Sequence, residues 1–184
     1  MSFLRFLLAA VLVLALVAVI LSAVAPTRME LTRDIYIQAP LQQVWQQVST
    51  LQQMDRWSPW NELDPNMKKT IEGTDGTVGA VMHWEGNQDA GSGKQTISAV
   101  EPLHRIDLKI EFLKPFRSEA DSYIQVDDSG GGTQVTWGFS SVTPRPFNIV
   151  YIFMDMEKLI GQDYEKGLRR LKELTEQEHL SAPS

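Results

Sequence analysis

The chain has 184 residues, no cysteine and a formal net charge of −6 at pH 7. Arg5 is the only charged residue among the first 27, so residues 28–184 carry a net charge of −7. An acidic surface is a poor match for nucleic acid, whose binding rests on cationic contacts to phosphates. The lack of cysteine excludes thiolate metal sites and cysteine catalysis, and a domain of this size needs neither disulfide nor metal to fold.

Residues 1–27 are predicted to form a membrane anchor. Residues 6–25 contain no charge and a single hydroxyl, that of Ser22. Twenty helical residues at 1.5 Å each span about 30 Å, which is the thickness of the hydrocarbon core of a bilayer. We therefore expect this segment to cross a membrane once.

A cleaved signal peptide is the alternative interpretation of this segment. Arg5 would supply its basic start, and Ala23-Val24-Ala25 a small-x-small cleavage site. However, the apolar run is longer than a signal core, and Pro26 would follow the scissile bond, where it hinders a protease that needs an extended substrate backbone. These features favour an uncleaved anchor over an exported soluble domain. Arg5 on one flank and Arg28 and Arg33 on the other leave the membrane side of the domain undetermined.

Residues 28–176 are predicted to form one α+β domain. Apolar residues alternate from Leu31 to Ile37, which indicates a strand, and Leu41–Leu51 has helical spacing and leads into a second short turn. The middle of the chain then follows a period of two, typical of an antiparallel sheet with one wet face. The predicted strands there are Lys68–Glu72, Ala80–Glu85, Gly93–Val100, Arg105–Phe112, Ser118–Val126 and Thr133–Phe139.

The last predicted element is one long helix from Phe147 to Glu176, before a disordered tail over residues 177–184. Its second half is amphipathic, whereas its first half is apolar on all sides, so we expect the first half to be buried under the sheet. A lid at the bilayer surface is the alternative for Phe147–Met156. Because the apolar side of a sheet needs a cover, the pattern predicts a curved sheet around this helix.

Several motifs resemble the helix-grip (SRPBCC) superfamily, which includes START lipid-transfer domains, the major birch pollen allergen and polyketide cyclases. They are Ile37-Gln38-Ala39-Pro40, Trp57-Ser58-Pro59-Trp60, Phe112-Leu113-Lys114-Pro115-Phe116, Gly132-Thr133-Gln134-Val135-Thr136-Trp137 and the run from Tyr164 to Lys172. Over residues 28–176 the chain looks most like the bacterial polyketide cyclase/dehydrase-like branch, often met as membrane-anchored proteins. The resemblance implies a START-like fold with a cavity between sheet and long helix that accepts an apolar ligand. It also implies a single-pass location in a bacterial inner or plasma membrane.

Six aromatic residues are the candidate ligand contacts at the cavity or its mouth: Trp57, Trp60, Trp84, Trp137, Phe153 and Tyr164. Such side chains bind apolar or ring-bearing ligands, although the tryptophans would serve equally well as ordinary core residues. His83 and Glu85 share a strand face that we expect to be solvent-exposed. The three histidines lie far apart in the sequence, so we expect no metal site, and we assign no catalytic residue.

The sequence thus predicts a membrane-tethered protein that binds a lipid or a polyketide- or isoprenoid-like compound without a cofactor. One alternative is an enzyme with cyclase- or dehydratase-like activity, and another is an accessory protein that binds a second membrane protein. A cavity with converging polar groups would favour the enzyme, a wholly apolar cavity the carrier, and a filled core the accessory protein.

Overall fold

The computed structural model describes residues 2–181 and contains one antiparallel sheet of seven strands. The strands are β1 (Arg28–Ile37), β2 (Lys68–Glu72), β3 (Val81–Glu85), β4 (Ser92–Glu101), β5 (Arg105–Lys114), β6 (Ser118–Asp128) and β7 (Thr133–Val142). Their order in the sheet is β1-β7-β6-β5-β4-β3-β2, so β2 to β7 form a meander and β1 returns to pair with β7. Each pairing is antiparallel, as the period-two pattern predicts.

Helices precede, interrupt and follow this sheet. They are α1 (Ser2–Val24), α2 (Leu41–Val48), α3 (Leu51–Trp57), α4 (Val150–Phe153) and α5 (Met156–Ser181), with 3₁₀ helices at Pro59–Glu62 and Phe147–Ile149. Helices α2, α3 and α5 share the core cluster with the inward-facing residues of the sheet. The predicted α+β helix-grip architecture is therefore confirmed.

One end of the concave sheet face is densely packed, and we call it the closed end. Its inward-facing side chains and those of the covering helices exclude solvent completely; they include Ile37, Val44, Val48, Ile97, Ile106, Val135 and Leu171. The spacing that makes α2 and the second half of α5 amphipathic brings these apolar stripes onto the apolar side of the strands.

The prediction of one continuous helix from residue 147 is wrong. The backbone is extended at Met154, and α5 begins after it, where Asp155 Oδ1 accepts a hydrogen bond from the Lys158 amide at 3.0 Å. Aspartate is a favoured helix N-cap because its side chain satisfies such an otherwise unpaired amide. The preceding segment is not buried under the sheet either: Phe147 and Phe153 are 72% and 73% exposed.

The predicted disordered tail is also wrong for residues 177–181. Helix α5 continues to Ser181, and Glu178 is held on both carboxylate oxygens. Its Oε2 accepts a hydrogen bond from Gln47 Nε2 at 2.7 Å, and its Oε1 accepts one from Arg56 at 2.9 Å. These contacts to α2 and α3 order the last turns. The remaining tail residues, 182–184, lie outside the described part of the chain.

Candidate functional site

Four of the six predicted aromatic residues meet between the sheet and α5. Trp137 on β7 stacks on Tyr164 of α5, with ring centroids 3.8 Å apart and an interplanar angle of 20°. Trp57 and Trp60 approach Trp137 edge-on, at 5.1 and 5.8 Å. Trp57, Trp137 and Tyr164 are 2%, 6% and 1% exposed, whereas Trp60 is only partly buried. This aromatic cluster fills the middle of the space in which the sequence predicted a cavity.

The polar side-chain atoms of Trp57, Trp137 and Tyr164 all have hydrogen-bond partners. The Trp137 indole N–H donates to Ser122 Oγ at 3.1 Å, and Ser122 Oγ donates to the Gly138 carbonyl at 2.9 Å. Because a serine hydroxyl carries one proton, Tyr164 must be the donor in its 3.2 Å contact with Ser122 Oγ. The Trp57 indole N–H donates to the Gln47 carbonyl at 3.0 Å. No proton of this network is left to act on a ligand.

Burial raises the pKa of the Tyr164 hydroxyl. Desolvation disfavours a charged phenolate in an apolar interior, so the hydroxyl keeps its proton at neutral pH. A general base needs a pKa near the operating pH, which this tyrosine lacks. Its role in this geometry is that of a structural hydrogen-bond donor.

Gly167 allows α5 to approach the aromatic cluster closely. A Cβ at this position would lie 2.7 Å from Trp137 Cζ3 and 3.2 Å from Pro59 Cδ. Glycine inside a helix costs about 1 kcal/mol relative to alanine, and here the close packing of the indole explains why it is needed. At Gly161 the nearest group is instead the guanidinium of Arg33, the end of a flexible side chain.

The other end of the concave face is only partly covered, and we call it the open end. Inward-facing residues of β3 and β5 there remain partly buried; they are Met82, Trp84, Ile110 and Phe112. Trp84 packs edge-on against Phe112 at 5.8 Å. The first turns of α5 lie instead over β1, where Arg33 bonds Glu165 at 2.9 Å. The open end is therefore an apolar concave surface that the helices cover incompletely.

The two remaining predicted site residues lie away from the cluster. Trp84 belongs to the open end, where its indole N–H contacts the Ala90 carbonyl at 3.3 Å. Phe153 projects from α4 into solvent. Contact of any of the six residues with a ligand stays a prediction. His83 faces the opposite side of the sheet from Trp84, 3.4 Å from Glu72, and within residues 2–181 no group of three His, Asp or Glu side chains is arranged to hold a metal ion.

A buried asparagine, not foreseen from the sequence, holds the end of α1 to the domain. The Asn148 side-chain amide donates to the carbonyls of Ser22 and Ala25 at 2.9 and 3.0 Å, and its oxygen accepts from Ser22 Oγ at 3.0 Å. Arg145 Nε donates to the Ser22 carbonyl at 3.0 Å. We call this set of contacts the clasp. The predicted anchor, residues 1–27, is thus packed against the domain at its last turn.

Two surface grooves lie outside the aromatic interior. One, of about 480 Å³, is lined on the outer sheet face by Arg105, Asp107 and Tyr123. The other, of about 470 Å³, lies between Arg33 and the start of α5. Arg105 stacks over the Tyr123 ring at 3.8 Å and pairs with Asp107, so the polar groups of the first groove already serve one another.

The sequence model of the family described as polyketide cyclase/dehydrase and lipid transport matches residues 28–176. The chain belongs to this family. A search of the curated proteins found no match.

Solved structures show the same fold in proteins of very different sequence. Ara h 8.0201 superposes with a TM-score of 0.56 at 14% identity, over 84% of this chain and 99% of that one. An uncharacterized protein from Rhizobium leguminosarum gives 0.62 at 15% identity, over 82% and 95%. The di-domain ARO/CYC StfQ from the steffimycin biosynthetic pathway gives 0.62 at 8% identity, over 83% of this chain and 52% of that one. Identities this low establish the fold and leave the ligand open.

Proposed function

We propose that this protein binds an apolar small molecule, of lipid or polyketide-like type, at the open end while α1 holds it in a membrane. The observation that carries the proposal is the incomplete cover over Met82, Trp84, Ile110 and Phe112, on the same sheet whose closed end excludes solvent completely. Apolar concave surface of this kind gains free energy when a ligand removes it from water. The family, described by cyclase/dehydrase and lipid transport members, supports the same class of ligand.

In this proposal the aromatic cluster is the floor of the site rather than its wall. Trp57, Trp137 and Tyr164 are sealed from solvent, so a ligand would reach them only by displacing their neighbours. Trp60 and Trp84 remain partly accessible and would contact the ligand directly. The saturated hydrogen bonds of Ser122 and Tyr164 favour binding over acid–base catalysis.

Retention of α1 in the membrane is supported by two observations. The helix Phe3–Val24 is long and apolar enough to cross a bilayer, and it is almost wholly unburied by the rest of the chain. Cleavage after Ala25 would also remove every hydrogen-bond partner of the Asn148 side chain, which is 0% exposed. Retention of residues 1–25 keeps these hydrogen bonds, so the clasp favours an anchor over a cleaved signal peptide.

Native mass spectrometry of the full chain, extracted from its membrane in detergent, tests the ligand site. We expect the wild-type chain to retain an apolar compound after the detergent is stripped. Ile110→Glu places a carboxylate in the open end and should abolish retention, because an unpaired charge facing an apolar ligand is strongly unfavourable. Thr96→Glu, on the outer face of the neighbouring strand, makes the same change of charge and should retain the compound.

A second candidate function is an accessory role in which the domain binds another membrane protein and holds no ligand. The packed aromatic cluster favours it, because that cluster occupies the centre of the expected cavity. A wild-type chain that emerges empty and takes up no added phospholipid would support this role over ligand binding. Equal retention by the Ile110→Glu and Thr96→Glu chains would place the ligand elsewhere.

A further inference from the structure

The clasp fixes how the domain stands on α1. The last carbonyls of a helix have no partners within the helix, and here Asn148 and Arg145 supply them. Arg145 also reaches the Ala23 carbonyl at 3.3 Å. Several hydrogen bonds from one short segment restrain the rotation of the domain relative to α1 as well as the distance between them. The domain is therefore joined to α1 by a packed contact rather than by a free linker.

Six exposed apolar side chains lie in two segments at the end of the sheet where α1 joins it. Phe147 lies between the clasp residues Arg145 and Asn148, and Ile152, Phe153 and Met154 follow them. Leu113 lies at the end of β5, and Phe116 lies in the β5–β6 turn. We call these six residues the apolar rim. Phe116 is 82% exposed, which is unusual for a large aromatic side chain on a protein surface that faces water. Grouped apolar exposure of this kind indicates a surface that meets something apolar.

The sheet register brings the β5–β6 turn near the level of the end of α1. Ser141 of β7 pairs with both Met29 and Ala120, so these residues form one row across the sheet. Ala25 precedes Met29 by four residues, and Phe116 precedes Ala120 by four. At about 3.3 Å per residue both lie up to about 13 Å beyond that row, and two strand spacings separate them laterally by about 10 Å.

The charge at the β5–β6 turn suits a bilayer surface as well. Lys114 and Arg117 flank Phe116, and both are exposed. Cationic side chains beside apolar ones are typical of the membrane interface, where the apolar groups enter the acyl boundary and the cations meet lipid phosphates. This local arrangement contrasts with the net negative charge of the domain.

We infer that the apolar rim inserts into the interfacial layer of the bilayer that α1 spans, so that the open end faces lipid. The inference rests on the proposed function in one respect, the retention of α1 in the membrane. The partner is the lipid surface itself, because the rim begins one residue from the clasp and lies near the level at which α1 leaves the hydrocarbon core. Ligand exchange at the open end would then take place without passage through bulk water.

Depth-dependent fluorescence quenching tests the inference on the full chain. The chain has no cysteine, so Phe153→Cys, Phe116→Cys and Ser129→Cys each create one labelling site for the environment-sensitive dye NBD. Ser129 lies in the exposed β6–β7 turn at the opposite end of the sheet and is the matched control. The labelled chains are reconstituted in liposomes of phosphatidylcholine and phosphatidylglycerol that carry doxyl-labelled lipid.

We expect the dye at positions 153 and 116 to shift to the blue and lose most of its fluorescence to the doxyl lipid, and the dye at 129 to remain unquenched. The inference would be overturned if the dyes at 153 and 116 were as solvent-exposed and unquenched as the dye at 129 while the chain was stably inserted through α1. That result would point to a protein partner for the apolar rim. The measurement does not depend on a bound ligand. An empty open end would therefore count against the proposed function while leaving this result unchanged.

Discussion

The two ends of the concave face share strand β5 and the same alternation, yet they differ in burial. At the closed end, α2, α3 and the second half of α5 cover the sheet, and inward-facing side chains lose all contact with solvent. At the open end the same inward-facing positions stay partly buried. The difference lies in the covering helices, because the apolar face of a sheet is buried only where another layer packs on it.

Apolar composition alone does not decide burial in this domain. The segment Phe147–Met154 is among the most apolar of the chain, and five of its large apolar side chains are exposed: Phe147, Val150, Ile152, Phe153 and Met154. Helix α5 has a polar face and a narrow apolar stripe, and that stripe is completely buried at Leu168 and Leu171. A helix with an apolar stripe has a defined side to pack, whereas a segment apolar on all sides needs apolar surroundings beyond the domain.

The largest difference in the free energy of unfolding is expected between two aromatic truncations, one in the covered interior and one in the exposed segment Phe147–Met154. Trp137→Ala removes the centre of the aromatic cluster and the donor to Ser122, and should lower the free energy of unfolding by about 3–5 kcal/mol. Phe153→Ala removes an exposed side chain and should change it by no more than about 0.5 kcal/mol. Urea titrations of both chains in the same detergent measure this. Similar losses at the two positions would mean that α4 is packed rather than exposed.

A smaller difference in the free energy of unfolding is expected between alanine substitutions at two glycines of α5. Gly167→Ala pushes a methyl group into the Trp137 ring and should cost about 1–3 kcal/mol, because the neighbouring Pro59 leaves the indole little room to move. Gly161→Ala meets only the flexible end of Arg33 and should gain up to about 1 kcal/mol from helix propensity. Thermal unfolding of the two variants compares them directly. Stabilisation by both alanines would show that α5 is loosely packed along its whole length.

The sheet and its covering helices could be predicted because alternation and helical spacing report directly which face is buried. Ile106, Leu108 and Ile110 against Arg105, Asp107 and Lys109 are sufficient to identify β5. Both bounds of the long helix were misplaced, because hydrophobic spacing reports neither the local cap that starts it nor the contacts distant in sequence that hold its end. Asp155 caps α5 only once the chain has turned at Met154, and Glu178 is ordered by Arg56, which lies 122 residues earlier.

Two isolated polar residues mark the clasp in the sequence. Ser22 is the single hydroxyl of the first apolar segment, and Asn148 is the polar residue within the apolar run that follows Pro146. A polar residue isolated in apolar surroundings requires a partner, and here each is the partner of the other. The sequence identifies both residues as exceptions, but only the fold places them together, 126 positions apart.

The filling of the interior could not be predicted for a related reason. Tryptophans that line a ligand cavity and tryptophans that pack a core have the same sequence pattern. The choice depends on whether Trp57 and Trp60 reach Trp137, which the loop after α3 and the close approach at Gly167 decide together. The open end could not be predicted either, because partial cover of a sheet face leaves no periodic pattern in the sequence.

We propose that α1 and the domain form one structural unit that stays in the membrane. The decisive measurement is the intact mass of the protein recovered from the membrane fraction of a bacterial host. We expect a chain that keeps its first 25 residues, with a mass of 20.8 kDa for the 184 residues. A soluble species that begins at Pro26 would contradict it.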